Sequence, residues 1–272
     1  LNSISEKALR YDLTVPLARY VSQHQNEIKF PFRRFQIQNV WRADRPQKGR
    51  YQEFTQCDAD VIGSDSTYLE YEMIQMYSNV FKNLGFQKIQ IKVNHREILS
   101  SICRKIELND NFIDFVTILD KLNKIGSEKV IYELKDKLGL KDKFCPLLNQ
   151  IFESNNSSHA LSLINEQFID NDNSKKAFSE LKTLFDLTLN NKFDVLLDLT
   201  LARGLDYYTG VIYEVVSLTN SEIGSIGGGG RYKNLTERFN ANNLSGIGIS
   251  FGLERIYHLM DDNNLFPDEI TS

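Results

Sequence analysis

Cysteine, histidine and charge imbalance are all scarce in this chain, and each scarcity removes a class of function. The three cysteines, at 57, 103 and 145, are odd in number and far apart, with no C-x-x-C pair. A disulfide framework and a zinc knuckle are both excluded by that spacing, and the chain reads as one from a reducing compartment. The four histidines, at 24, 95, 159 and 258, show no metal-ligand spacing. No metal site is expected. With 32 Lys+Arg against 36 Asp+Glu, the net charge of -4 gives no global attraction to nucleic acid or acidic lipid. A phosphate ligand therefore has to be held by a local cluster. No apolar run approaches the ~20 residues of a membrane span, and no signal-peptide pattern opens the chain. Both common nucleotide cradles are missing too: there is no G-x-x-x-x-G-K-[ST], and no G-x-G-x-x-G between a strand and a helix.

What is present is an ordinary globular composition, 41% hydrophobic and 25% charged over 272 residues. That length suits one large domain, or a domain carrying an insertion. Periodicity divides the chain into three stretches. From 30 to 94, PFRRFQIQNVW and YQEFTQCDADVIG read as half-buried strands, with an Arg-rich loop between them forming a hairpin. Residues 65–83 then turn helical, with Thr67 and Glu70 in capping-box spacing, and KIQIKVN alternates as a strand. From about 96 to 189 the period is helical nearly throughout. Seven lysines and four acids lie between Lys121 and Lys143, which reads either as a solvated helical face or as a surface turned toward RNA. Strand character returns in FDVLLDLTLARGLDYYTGVIYEVVSL, glycine becomes dense in GSIGGGGRY, and SGIGISFGLERIYHLM runs from strand into helix. Because the β-rich flanks look like one sheet system, the helical block reads as an insertion.

Four segments carry chemistry. Arg42, Arg45, Lys48 and Arg50 crowd the hairpin loop, and guanidinium forks suit bidentate bonds to phosphate oxygens; a solvated charged turn is the alternative. On the following strand Gln56, Asp58 and Asp60 share one face. That row is either a solvent-facing edge or a pocket for a ligand with an ammonium group and a second hydrogen-bonding nitrogen. LARGLDYYTG sets Arg203 at a strand end and adds two phenols, Tyr207 and Tyr208, which pack against a ring and still hydrogen-bond. The four consecutive glycines of GSIGGGGRY either let backbone approach a planar ligand or form a flexible loop. Arg255, near a helix start, is disfavoured by the helix dipole and calls for a compensating anion.

Taken in order with LRYDLTVPLARY near the start, the segments RPQKGRY, LARGLDYYTG, GGRY and FGLER resemble the histidyl-tRNA synthetase family, in the style of its eukaryotic cytosolic members. The resemblance covers nearly the whole chain. It implies an α+β class II synthetase core, an antiparallel sheet flanked by helices, spanning 1–95 and 190–272, with a helical insertion domain over 96–189. Motif 1 and a C-terminal anticodon-binding domain belong to the family pattern and are not recognisable in this sequence. The implied activity is ATP-dependent activation of L-histidine and its transfer to tRNA(His), with Mg²⁺ accompanying ATP. The full-length protein is implied to be a cytoplasmic homodimer, with a mitochondrial location as the alternative. Carried over by motif position, Asp12 and Thr14 contact the histidine ammonium, and Gln56, Asp60, Tyr207 and Tyr208 line the amino-acid pocket. Arg42 and Arg203 serve as the catalytic arginines and also contact histidine. Arg42, Asp44, Arg50 and Arg255 bind ATP. Gln52, and Lys233 with Asn234, depart from the commoner residues beside these motifs. A catalytically silent regulatory or tRNA-sensing relative is the competing reading; such relatives tend to lose phosphate-binding arginines, and this sequence keeps them.

Overall fold

The computed structural model describes residues 7–154, 156–189, 194–202, 207–239, 244–267 and 269, leaving aside the side chains of 123 and 238. Helix α1 (Thr14–His24) precedes a hairpin of β1 (Phe32–Trp41) and β2 (Glu53–Ile62), after which come α2 (Tyr68–Asn83) and β3 (Ile89–His95). Seven helices follow: α3 (Arg96–Lys105), α4 (Phe112–Leu119), α5 (Leu122–Ile125), α6 (Ser127–Leu138), α7 (Cys145–Phe152), α8 (Ser157–Leu163) and α9 (Asp172–Thr188). The chain then returns to strands β4 (Asp194–Leu197), β5 (Val211–Ser217), β6 (Ser225–Tyr232) and β7 (Gly246–Gly252), and helix α10 (Leu253–Asp262). The strands form one sheet in the order β1-β2-β7-β6-β5-β3-β4. Every pairing is antiparallel except β3 with β4, so the expected antiparallel sheet is mixed at one edge.

Alternation along the strands gives the sheet two unlike faces. One is apolar: Ala59 and Val61 of β2 and Ile247, Ile249 and Phe251 of β7 pack with Met73, Ile74, Tyr77 and Phe81 of α2 in the main core. Those α2 residues recur at three- and four-residue steps, which puts them on one helical stripe. The Tyr77 hydroxyl donates to the Ser250 carbonyl at 3.2 Å, and its ring stands edge-on to Phe251 with centroids 5.0 Å apart. The same apolar cluster runs on into α3, α4, α6 and α9 through residues such as Ile98, Phe115, Val130 and Leu184. The helical block therefore shares its core with the sheet.

Three local expectations are corrected. In β1 the apolar alternate residues Phe35 and Ile37 are exposed, 80% and 59%, while Arg34 and Gln36 lie on the face shared with Asp60 and Asp58. The hairpin places the polar set inward. Thr67 makes no side-chain capping bond to α2; Glu70, its expected reciprocal partner, is taken instead by Arg231. The glycine run is an interior strand, paired on both sides, and not a loop. Among the lysines of the 121–143 stretch, Lys121 and Lys137 pair with Glu133, Lys135 with Asp142, and Lys141 and Lys143 with Glu107. That surface is charge-balanced, which favours the solvated face over an RNA-binding one.

Candidate active site

The second face of the sheet is polar and has a floor of glycine. Cross-strand register sets Arg34 opposite Asp60, Gln36 opposite Asp58 and Gln38 opposite Gln56. It sets Gly248 opposite Asp60, and Ser250 opposite Asp58. One strand further in, Gly230 lies opposite Gly248 and Gly228 opposite Ser250. At Gly248 a methyl group would overlap Asp60 Oδ1, and at Gly230 it would press on the Tyr208 ring. The glycines are there because side chains from neighbouring elements occupy the space a Cβ needs.

Above this floor the expected amino-acid residues converge. Asp12, Gln56, Asp58 and Asp60 are all buried, and Thr14 sits at the start of α1. Gln56 Nε2 donates to Asp58 Oδ1 at 3.2 Å and to Ser250 Oγ at 3.3 Å. Tyr232 Oη donates to Asp60 Oδ1 at 2.9 Å. Tyr207 is in hydrogen-bonding contact with Thr14, with its ring 4.7 Å from that of Tyr208 and 6.0 Å from that of Tyr232. Burial lifts the Asp12 and Asp58 carboxyls above their ordinary range, opposed at Asp12 by the Val15 amide, Arg42 and Arg34, and at Asp58 by Ser250, Arg34 and Gln56. Asp60 is pushed up to about 7 by burial, with Arg34 as the strongest opposing influence. Burial also raises the Tyr207 phenol, so it stays a neutral donor and acceptor at working pH.

Arg42 joins this recess to the hairpin loop. Its guanidinium lies between the rings of Tyr11 and Phe54, 4.6 and 5.0 Å from their centroids. From there it donates to Gln56 Oε1 and to the Tyr11 carbonyl, both at 3.2 Å. The loop beyond is a tight reversal in which Gln47 and Arg50 bond to each other's backbone, with Gly49 at φ +71°. Arg255, from the first turn of α10, donates to the Gly49 carbonyl at 2.8 Å and to the Ser225 carbonyl at 2.5 Å. Its charge near a helix start is thus met by carbonyl dipoles as it holds the loop against β6. Arg50 and Asp44 face each other across the loop at 3.8 Å, both about half exposed. Arg203 lies outside the described residues. The segments leading to it and away from it are pinned, by Asn94 Nδ2 to the Leu201 carbonyl at 3.0 Å and by the Thr209 amide to the Arg231 carbonyl at 2.8 Å.

Four site residues escaped the sequence reading: Arg34, Tyr232, Ser250 and Gly248. The signal for Arg34 is its even-numbered position on β1, in step with Gln36, which becomes visible once the hairpin register is known. Tyr232 sits inside the GGRY motif, but nothing local says which face it takes.

A charged hairpin, a glycine-floored sheet with a buried carboxylate row, and a strand-to-helix arginine define a class II aminoacyl-tRNA synthetase fold. Comparison with known sequences makes the assignment narrower. The profile of the histidyl-tRNA synthetase family matches residues 3–256. A histidine–tRNA ligase of Christiangramia forsetii is 50% identical over 99% of this chain and 60% of its own length. The crystal structure of histidyl-tRNA synthetase from Nostoc sp. PCC 7120 superposes with a TM-score of 0.84 at 29% identity, covering 96% of this chain and 61% of that one. An ATP phosphoribosyltransferase regulatory subunit/histidyl-tRNA synthetase from Bacillus halodurans shares the fold, with a TM-score of 0.75 at 22% identity. The chain belongs to the histidyl-tRNA synthetase family, and it spans about 60% of the length of the curated relatives it matches.

Proposed function

We propose that this chain carries the histidine-activating core of a histidine–tRNA ligase, which joins L-histidine to ATP as histidyl-adenylate and passes it to tRNA(His). The observation that carries the reading is the bond from Arg42 to Gln56, which makes the buried acidic and phenolic recess continuous with the cationic hairpin. An amino acid seated in the recess has its ammonium near Asp12, Thr14 and Gln56, and its ring near Asp60, Tyr207 and Tyr208. Its carboxylate then points toward Arg42 and the hairpin. ATP lies along the loop, with Asp44 on the adenine side and Arg50 and Arg255 toward the phosphates.

The chemistry needs no protein nucleophile. The histidine carboxylate attacks the α-phosphorus in line and pyrophosphate leaves; the adenosine hydroxyl at the tRNA terminus then attacks the acyl carbon and AMP leaves. Rate comes from holding the reacting atoms together and from neutralising charge on the α-phosphoryl oxygens, the role assigned to Arg42 and Arg203. Mg²⁺ enters bound to the outer phosphates of ATP, as part of the substrate. Residues 96–189 are read as an insertion between the two parts of the core. The full-length protein is read as a cytoplasmic homodimer; no helix among the described residues is long and apolar enough to cross a membrane.

ATP–pyrophosphate exchange by the full-length protein, run over all amino acids, tests the reading. Exchange with histidine alone is expected, and no histidine-dependent exchange from the folded protein overturns it. Arg203→Ala is expected to keep histidine binding while lowering exchange by about 10²–10³-fold, the scale for losing a transition-state donor. Unchanged exchange removes that role from Arg203.

A further inference from the structure

We propose that Arg34 is a positioning residue for amino-acid selection: it holds the Asp60 carboxylate charged and turned so that one oxygen accepts the substrate's ring N–H. The proposal rests on the recess being the amino-acid site, and it concerns a residue on a strand that none of the recognised motifs covers. Arg34 is buried along its length, 11% exposed, and it sits directly across the β1–β2 ladder from Asp60. Its fork is fixed by two bonds that have nothing to do with Asp60: Nη1 donates to Gln36 Oε1 at 2.6 Å and Nη2 to the Leu13 carbonyl at 2.9 Å. That second bond ties it to the turn holding Asp12 and Thr14.

Held this way, the guanidinium reaches Asp60 without saturating it. Nη2 lies 3.2 Å from Asp60 Oδ2, close enough for an ion pair. The approach is off the hydrogen-bond line, however, and Oδ2 is a buried oxygen with no hydrogen donor. The other oxygen, Oδ1, is taken by Tyr232. One oxygen is thus satisfied, and the other has charge compensation but no proton donor. A buried acceptor in that condition costs free energy until a donor arrives. An imidazole N–H supplies one, and a ring or chain lacking N–H at that point does not. Selection by an otherwise unpaired buried acceptor is much stronger than selection by shape.

The charges facing Asp60 show why Arg34 is needed. Asp58 is on the same strand, Asp12 comes from the segment before α1, Tyr232 from β6, and Arg34 from β1, while β7 offers only Gly248. Two further carboxylates and burial all favour protonation, and Arg34 is the cation that opposes them. Without it, Asp60 takes up a proton at neutral pH and the recess loses its charged acceptor.

The test is histidine-dependent ATP–pyrophosphate exchange across pH, using the full-length protein and its Arg34→Leu, Arg34→Lys and Asp60→Asn variants. In Arg34→Leu the KM for histidine is expected to rise about tenfold or more, with the KM for ATP within about twofold, and the acid limb of kcat/KM for histidine to move up by about one pH unit. The titration of free histidine is common to all variants, so a shift between them reports the protein. Arg34→Lys keeps the charge without the fork. It is expected to leave the acid limb near the wild-type position while histidine KM rises several-fold, and it decides the matter if Arg34→Leu does not fold. Asp60→Asn is expected to lose the acid limb that moves in Arg34→Leu. An acid limb and histidine KM unchanged in a folded Arg34→Leu, or an unchanged histidine KM in Arg34→Lys, overturns the proposal. If wild-type protein fails to exchange with histidine at all, the functional reading falls, and the role of Arg34 falls with it.

Discussion

Two buried arginine–carboxylate pairs sit on opposite faces of the same sheet, and they are built to different standards. Arg231 of β6 reaches the apolar side. There Nε and Nη2 engage both oxygens of Glu70 from α2, Nη1 donates to the Ser64 carbonyl and Ser245 Oγ, and Nη2 also donates to the Ser66 carbonyl. Every nitrogen of that guanidinium has a partner. Arg34 of β1 faces the site, and its Nε, like Asp60 Oδ2, is buried without a hydrogen bond. The saturated pair can only fix α2 to the strand end. The unsaturated one retains hydrogen-bonding capacity, and retained capacity is what a binding site offers.

The largest effect that would sharpen this contrast is on stability. Arg231→Met strands Glu70 in a fully packed environment and is expected to lower unfolding free energy by about 3–5 kcal/mol, read from urea melts. Arg34→Leu is expected to cost less than half as much, because Asp60 escapes by taking a proton. The sign of its pH dependence follows. The folded-state value of Asp60, about 7, lies above its unfolded value near 3.8, so the folded state binds the extra proton between these limits. Stability from this group therefore falls as pH rises through that window, and further removal of positive charge extends the fall upward. Melts of Arg34→Leu are expected to show a larger deficit at pH 8 than at pH 5.5; equal deficits at both would break the comparison.

A smaller effect is expected at Gly248, where the two strand neighbours and Asp60 leave no room for a methyl. Gly248→Ala is expected to cost about 1–3 kcal/mol and to raise histidine KM by displacing the carboxylate, with melting and exchange measured on one preparation. Smallest of all is Thr67→Ala, expected to change stability by less than about 0.5 kcal/mol because no capping bond exists to lose. A loss above about 1 kcal/mol would mean that the Thr67 side chain caps α2 in solution after all.

How far the site was legible depended on whether a residue's partners are local. Gln56, Asp58 and Asp60 were readable as one row because strand alternation fixes their common face without further information. The helix over Tyr68–Asn83 was readable from its apolar stripe, but its cap was not, since Glu70 had a distant competitor 161 residues away in Arg231. The glycine run was ambiguous for a related reason. A loop and a closely packed strand both favour glycine, and only the side chains of Tyr77, Tyr208 and Asp60 pressing on it distinguish them.

Local pattern alone settled which segments are strands and helices, the order of the family motifs, and which residue types crowd the hairpin, because all of these depend on neighbours a few positions apart. The tertiary fold decided which face Arg34 and Tyr232 take, which carboxylate each arginine meets, and which of those pairs is left incomplete. Those outcomes turn on strand register and on contacts between residues far apart in the chain, and no short-range periodicity encodes them.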